Sequence, residues 1–527
     1  MQQSIGFKTL LLAGLILVTV LSTTGLATEE SPSPAIDIVP AQEPIYLTLQ
    51  SAIEGTLKNN LSIAVRRFDS RILQQNVEDK KSEFDPTIDL ELSVEERRVP
   101  SASQFSDSVT TSKTHDWDLS FSQKIITGAE YELTFNNDRR KTSSQFTALN
   151  PQYTSDLEFT ISQPLLKNFG TDNNKQAIYI AKNDVTISDH DFNSEVIDTI
   201  SAMENVYWDL VFSIEELKVQ QKSLERAQDL ERRVNAQVEV GILAPLDILQ
   251  AKAEVASREE LLLTAEDLIQ DNEDRIRSFL NMHFNGLDYG QRIVPTDTPQ
   301  FSPKLKVNLQ EAIRTAFNKR PDMLAKKVDL KNKNILVKYN KNQLYPSLDL
   351  FGSLGLNGIS GDSTSGSSSF SGGYGENISN LFSTEFYNWE VGLKLSYPLG
   401  NRSAKSSHTQ ARLEKAQALL DIKTLERDIT VEVREAVRQL KTDIKRVQAT
   451  RVARRLAEEK LSAEEKKFEV GLSTSFNILE FQEDLAKEQS KELKAIIDYN
   501  KSHILLRQVT ATTLSAHKIE MDPDKKS

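Results

Sequence analysis

The sequence predicts a mainly α-helical chain that also carries membrane-type β-strands, laid out twice on one plan. Three observations predict it. Residues 238–250 (VEVGILAPLDILQ) and 468–480 (FEVGLSTSFNILE) share one pattern, with Gly471 lying 230 residues after Gly241. Two equal motifs imply two equal structural units. Long stretches on either side of each motif keep apolar residues at spacings of four and three, the mark of helices packed along their length. Between those stretches, shorter segments bounded by proline alternate apolar and polar residues with a period of two.

The elements follow in order. Residues 1–27 hold Lys8, an apolar core from Leu10 to Val20 and then Gly25-Leu26-Ala27. That is the form of a signal peptide cut after Ala27. Its removal takes away Lys8 and moves the formal charge from −12 to −13. Residues 28–45 are Pro-rich and acidic, a flexible N-terminal segment. The first repeat is expected over 46–285. It opens with a helix at Leu47–Ile53 that recurs, 260 residues on, as Val307–Ile313. Asn59-Asn60 and Lys319-Arg320 break each helix from a second one, which runs to about Glu83 or Gln343.

Strands are expected next, over 86–163 in the first repeat and 346–397 in the second. Proline cannot continue a helix, and the residue before it prefers extended backbone. Pro86, Pro164, Pro346 and Pro398 therefore mark four helix–strand junctions. Ile88, Leu90, Leu92 and Val94 alternate with Asp89, Glu91, Ser93 and Glu95. Four more segments alternate likewise, around Leu119, Leu133, Phe159 and Leu393, and with 346–357 they make six candidate strands. Lengths near nine to eleven residues suit tilted strands that cross a bilayer, with aromatic girdles at its surfaces. A soluble β-domain with one wet face would alternate in the same way. Polar loops are expected at 99–114, 141–152 and 358–375, and a short turn near Gly128. The interval between junction prolines is 26 residues longer in the first repeat, room for one more hairpin.

The long helices come last in each repeat. Val196, Ile200, Met203, Tyr207, Leu210, Ile214, Leu217 and Leu224 form one stripe, and Ile429, Val433, Val437, Leu440, Ile444 and Val447 the other. A return helix follows each motif, to about Asn281 and about Thr513. A linker, 286–306, joins the repeats. The second repeat spans 307–515, and a disordered tail, 516–527, ends the chain.

Composition excludes several chemistries. There is no Cys, and the six His are scattered, so no metal or cofactor is expected. No phosphate-binding glycine loop and no nucleophile motif is present, so an enzyme is not expected. An acidic chain does not suit nucleic acid. No later apolar run is long enough for a transmembrane helix.

The duplicated Val-Gly motif, the four prolines and the leader together resemble the TolC-like outer membrane efflux protein family, over about residues 46–515. The resemblance implies a homotrimer: strands of three chains close one β-barrel in outer-membrane lipid, and coiled-coil-like helices form a barrel through the periplasm. An open sheet edge cannot be satisfied in lipid, which agrees with closure by copies. Four strands plus two per chain would give eighteen in the trimer; the alternative is two very long hairpin arms outside the membrane. The resemblance also implies that the motif tips dock a periplasmic adaptor, through Val240, Gly241, Ile242 and Leu243 and through Val470, Gly471, Leu472 and Ser473. Plain helix termination also accounts for both glycines. Family members close this end with acidic rings, at positions occupied here by Asn477 and Glu480. Only the second is acidic, and a solvated helix carboxylate would look the same. Family members also link the tips through an Asp, here Asp247, to an aromatic hydroxyl and a basic residue, here Phe468 and Ser473. Neither substitute keeps the linking group, so a gate held more by packing, or one less firmly held, is expected.

The implied function is an exit duct of a tripartite efflux or type I secretion system, served by an adaptor and an inner-membrane ABC or proton-driven pump. A trimeric coiled-coil surface protein or adhesin with a β anchor is the alternative. Internal strands in both repeats disfavour it.

Overall fold

A computed structural model describes residues 44–100, 109–282, 291–303, 307–364, 366 and 369–519. The leader, most of the N-terminal segment and tail residues 520–527 lie outside the described residues. A short strand, β1 (Ile45–Leu47), leads into α1 (Leu49–Asn59) and α2 (Leu61–Lys81). Asn60 ends the first helix in extended backbone and caps the second, its side chain accepting from Ser62 and Ile63 N–H. Four strands follow: β2 (Thr87–Pro100), β3 (Val109–Lys124), β4 (Glu130–Thr142) and β5 (Leu149–Pro164). One turn, α3 (Thr171–Asn174), precedes the 64-residue α4 (Gln176–Glu239), which at 1.5 Å per residue is roughly 96 Å long. The return helix is α5 (Pro245–Leu280).

The second half repeats the plan. It runs β6 (Ile293–Pro295), α6 (Leu309–Lys319), α7 (Pro321–Asn342), β7 (Ser347–Ser363), α8 (Tyr374–Phe382) and β8 (Tyr387–Ser396). Then come α9 (Arg402–Glu469), α10 (Ser475–Val509) and the single turn α11 (Thr513–Ala516). Pro86 and Pro346 directly precede β2 and β7, Pro164 closes β5, and Pro398 follows β8 by two residues.

The sequence reading needs four corrections. The first helix begins at Leu49, because Leu47 belongs to β1, which pairs in parallel with β6 inside the expected linker. Three-residue strands are too short to show a period. Strand lengths of 14, 16, 13, 16 and 17 residues in β2, β3, β4, β5 and β7 exceed the expected nine to eleven, which β8 meets with 10, and the longer strands run into the expected loops at 99–114, 141–152 and 358–375. Their far ends are polar on both faces, so alternation there is silent. A short helix that the sequence reading did not expect, α8, follows the Gly/Ser-rich loop and overlaps it only at Tyr374 and Gly375. In the tail, Ile519 packs with Leu514 against Ile53, Ile63 and Phe192.

All six long strands form one antiparallel sheet in the order β2-β3-β4-β5-β7-β8. The extra hairpin is therefore part of the sheet and not a separate arm. Register aligns Leu90, Leu119, Phe135, Leu157, Leu356 and Tyr387 in one row across it. Ile88, Phe121, Leu133, Phe159, Leu354 and Trp389 form the next. Alternation on each strand thus becomes one continuous apolar face. The opposite face carries Asp89, Glu91, Asp118, Glu132, Glu158 and Glu390 at the intervening register positions. The short turn of β3–β4 is seated against the helix end: Gly128 (φ +94°) lies where a Cβ would meet Asn168 O at 2.6 Å, and Lys124 Nζ bonds Glu83 Oε1 at 2.6 Å.

Beneath the sheet the helices lie side by side. Near the sheet the neighbours run α2-α4-α7-α9, and near the tips α5-α4-α10-α9. Tyr207, Ile200, Met203 and Leu210 on α4, with Ile429, Val433 and Leu440 on α9, are the buried stripes the spacing predicts. The Tyr207 hydroxyl donates to Asp297 Oδ2 at 2.7 Å, tying the β1–β6 segment to α4. Burial and that carboxylate push its pKa up, so it stays protonated.

Candidate functional site at the helical tips

Each tip is built by one helix stop. α4 ends at Glu239, Gly241 takes φ +77°, and Ile242 N–H returns to Gln237 O at 2.8 Å. α9 ends at Glu469, Gly471 takes φ +77°, and Leu472 N–H returns to Lys467 O at 2.8 Å. The left-handed glycine lets the chain reverse without a Cβ penalty. Pro245 then opens α5 at a first-turn position, and the Asp247 carboxylate accepts from Ala244 N–H at 3.1 Å. Thr474 opens α10, its hydroxyl accepting from Asn477 N–H at 3.3 Å.

The tips of the two halves meet. Leu230, Val234, Ile478 and Leu479 are buried together, with Leu243, Ile248 and Phe468 packed on them. Phe468 therefore sits in apolar packing, and no hydrogen bond joins it to Asp247. A polar link crosses between the two tips: Ser475 Oγ donates to Asp247 Oδ1 at 3.0 Å. Ser473 instead bonds within its own half, donating to Glu464 Oε1 at 2.7 Å. Lys467 and Ser473 together hold the Glu464 carboxyl below its usual range. Asn477 is half-buried, its amide donating to Ser473 Oγ at 3.4 Å. Glu480 is exposed, on the α10 face opposite Ile478, Leu479 and Gln482.

The turns project apolar side chains into solvent. Val240 is 71% exposed, Ile242 70%, Val470 68% and Leu472 78%. Leu246, Leu249 and Phe476 add to the same ends and are also exposed. Gly241 and Gly471 have nothing within 4 Å of an added Cβ, so the space around them is open. Sequence reasoning missed Leu246, Leu249, Phe476 and Ser475. The first three read as ordinary core positions of an amphipathic helix, and a lone serine carries no signal.

The sheet end is the second feature. Its apolar face is open: Ile88, Leu92, Val391 and Leu395 are each close to 70% exposed. A patch this continuous marks contact with another apolar phase. Both edges, β2 and β8, lack a partner among the described residues. On α2, Leu61, Val65, Phe68 and Ile72 keep spacings of four, three and four and are all exposed. Open edges thus coincide, with α2 and β2 on one side and α9 and β8 on the other.

Among the described residues no group of side chains could hold a metal ion. No helix among the described residues is long and apolar enough to cross a membrane.

The sequence pattern of a family described as outer membrane efflux protein matches residues 52–282 and 312–512. None of the curated proteins matches the sequence. Among solved structures, the chain is similar to the outer membrane protein VceC from Vibrio cholerae, at 16% identity and TM-score 0.62, over 88% of this chain and 95% of that one. It is similar to the Campylobacter jejuni CmeC outer membrane channel, at 15% identity and TM-score 0.62, over 90% of each chain. The open state of the Neisseria gonorrhoeae MtrE outer membrane channel matches at 16% identity and TM-score 0.60, over 88% of each chain. At these identities the likeness is one of fold.

Proposed function

The chain belongs to the outer membrane efflux protein family, and from that premise we propose that it is the outer-membrane exit duct of a tripartite system, working as a homotrimer. The observation that carries this reading is the coincidence of open edges with an exposed apolar sheet face. Lipid has no water to satisfy a bare strand edge, so the sheet must close on copies of itself. β2 rises from its helix junction and β8 descends to one, so β8 of one copy meets β2 of the next antiparallel. Three copies of the six-stranded sheet make an eighteen-stranded barrel, a size that leaves an aqueous channel. The exposed stripe on α2 then meets α9 of the neighbour.

Closure has a direct test. Single cysteines on β2 and β8, such as Leu92→Cys with Val391→Cys and neighbouring register pairs, are expected to give a covalent trimer on oxidation. Monomers alone across the whole register series would sink edge-to-edge closure.

At the far end, the apolar tips suit the helical hairpins of a periplasmic adaptor, with Val240, Ile242, Val470 and Leu472 as contacts. An inner-membrane ABC or proton-driven pump supplies the energy. Glu480 forms a ring of carboxylates at the constriction, with Asn477 beside it. Charged rings select ions and bind blocking cations. In planar bilayers, Glu480→Ala is expected to raise conductance and to lose block by divalent cations. Equal conductance and equal block in both proteins would place the constriction elsewhere.

A further inference from the structure

The outward sheet face does not stay bare to its upper edge. Two residues beyond Phe135, Leu157 and Leu356, the same face becomes small and polar at Asn137, Ser155 and Gly358, which register pairs side by side. There α8 lies across the strands. Tyr374 reaches the β3–β4 side, where Trp117 Nε1 donates to its hydroxyl at 3.4 Å and the hydroxyl donates to Asn137 Oδ1 at 3.0 Å. Asn377, fully buried, donates to Ser155 Oγ at 2.6 Å, and Ser155 Oγ donates to Asn137 Oδ1 at 2.6 Å. Asn380 Nδ2 donates to Ile359 O on β7 at 3.0 Å. A Cβ on Gly358 would meet Asn377 O at 2.5 Å, so the strand is cut away to admit the helix. The seat is built, and it follows one row of the sheet.

We propose that α8 is an interfacial helix on the outside of the barrel, lying in the boundary between headgroups and acyl chains of the outer leaflet. The inference rests on reading the sheet as a membrane barrel. Its placement follows from continuity. The helix begins where the apolar band ends, on the same face. Its buried side carries Asn377 and Leu381 toward the sheet, and Phe382 is 60% exposed, as Tyr387 and Trp389 at the start of β8 are exposed. Glu376 and Ser379 are exposed as well. A short helix whose open side is polar apart from the aromatic Phe382, seated at the rim of the apolar band, matches the chemistry of that boundary. The helix fixes where the outer surface of the membrane meets the barrel.

The chain has no Cys, so single labels are clean. An environment-sensitive fluorophore is placed on Phe382→Cys, Ser379→Cys and Val391→Cys, all exposed positions. The labelled proteins are reconstituted in phosphatidylcholine vesicles carrying nitroxide either near the headgroup or deep in the chain. The expected result is loss of emission at 382 chiefly to the shallow nitroxide, at 391 chiefly to the deep one, and at 379 to aqueous iodide. A label on 382 that only iodide quenches, beside a lipid-quenched 391, overturns the interfacial helix while leaving the barrel intact. A label on 391 that no lipid nitroxide quenches overturns the membrane reading itself, and the helix with it.

Discussion

Cross-linking a cysteine pair at 247 and 475 is expected to abolish export by cells that depend on this duct, with recovery on reduction. The two positions hold the polar contact that joins the tips of the halves, Ser475 Oγ to Asp247 Oδ1 at 3.0 Å. Around it, Phe468, Leu243 and Ile248 pack on Ile478 and Leu479. If opening separates the α5 tip from the α10 tip, a bond at 247–475 holds the closed arrangement against any pump. Direct oxidation or a short bifunctional thiol reagent makes the link, and the Cys-free background removes competing bonds. Export of a fluorescent substrate from intact cells reads the result. Full export with the link shown to be formed would place the moving joint elsewhere. The separate change Ser475→Ala removes only one hydrogen bond and is expected to leave the packing, with a small rise in leak.

Val391→Arg is expected to destabilise the assembled trimer by about 2–4 kcal/mol, the cost of a guanidinium facing mid-bilayer lipid. Val391 sits midway along the apolar band, opposite Gly352, and is 68% exposed. The neighbouring Glu390 points to the other, acidic face, so Glu390→Arg should cost little and alter ion selectivity instead. Urea unfolding of the lipid-reconstituted trimer separates the two. Equal losses from both changes would mean that the faces do not divide lipid from lumen.

The sequence alone carried the architecture because each part of it has a period or a stop. Duplication is visible in the two Val-Gly tips, which need a left-handed residue at Gly241 and Gly471. Helix–strand junctions are visible in four prolines, since proline ends one hydrogen-bond pattern and favours the other. The core stripe of α4 is visible because helical spacing puts Ile200, Met203, Tyr207 and Leu210 on one face. Tertiary structure decided what period and stop signals cannot encode. Register, set by strand pairing over long sequence separations, turned six alternating segments into one apolar face and put the extra hairpin inside the sheet. Packing decided that Phe468 joins an apolar cluster and that Asp247 finds Ser475, a partner 228 residues away that no local pattern announces. It also placed α8 against Asn137 and Ser155, because a nine-residue helix is too short for its period to announce which surface it lies on.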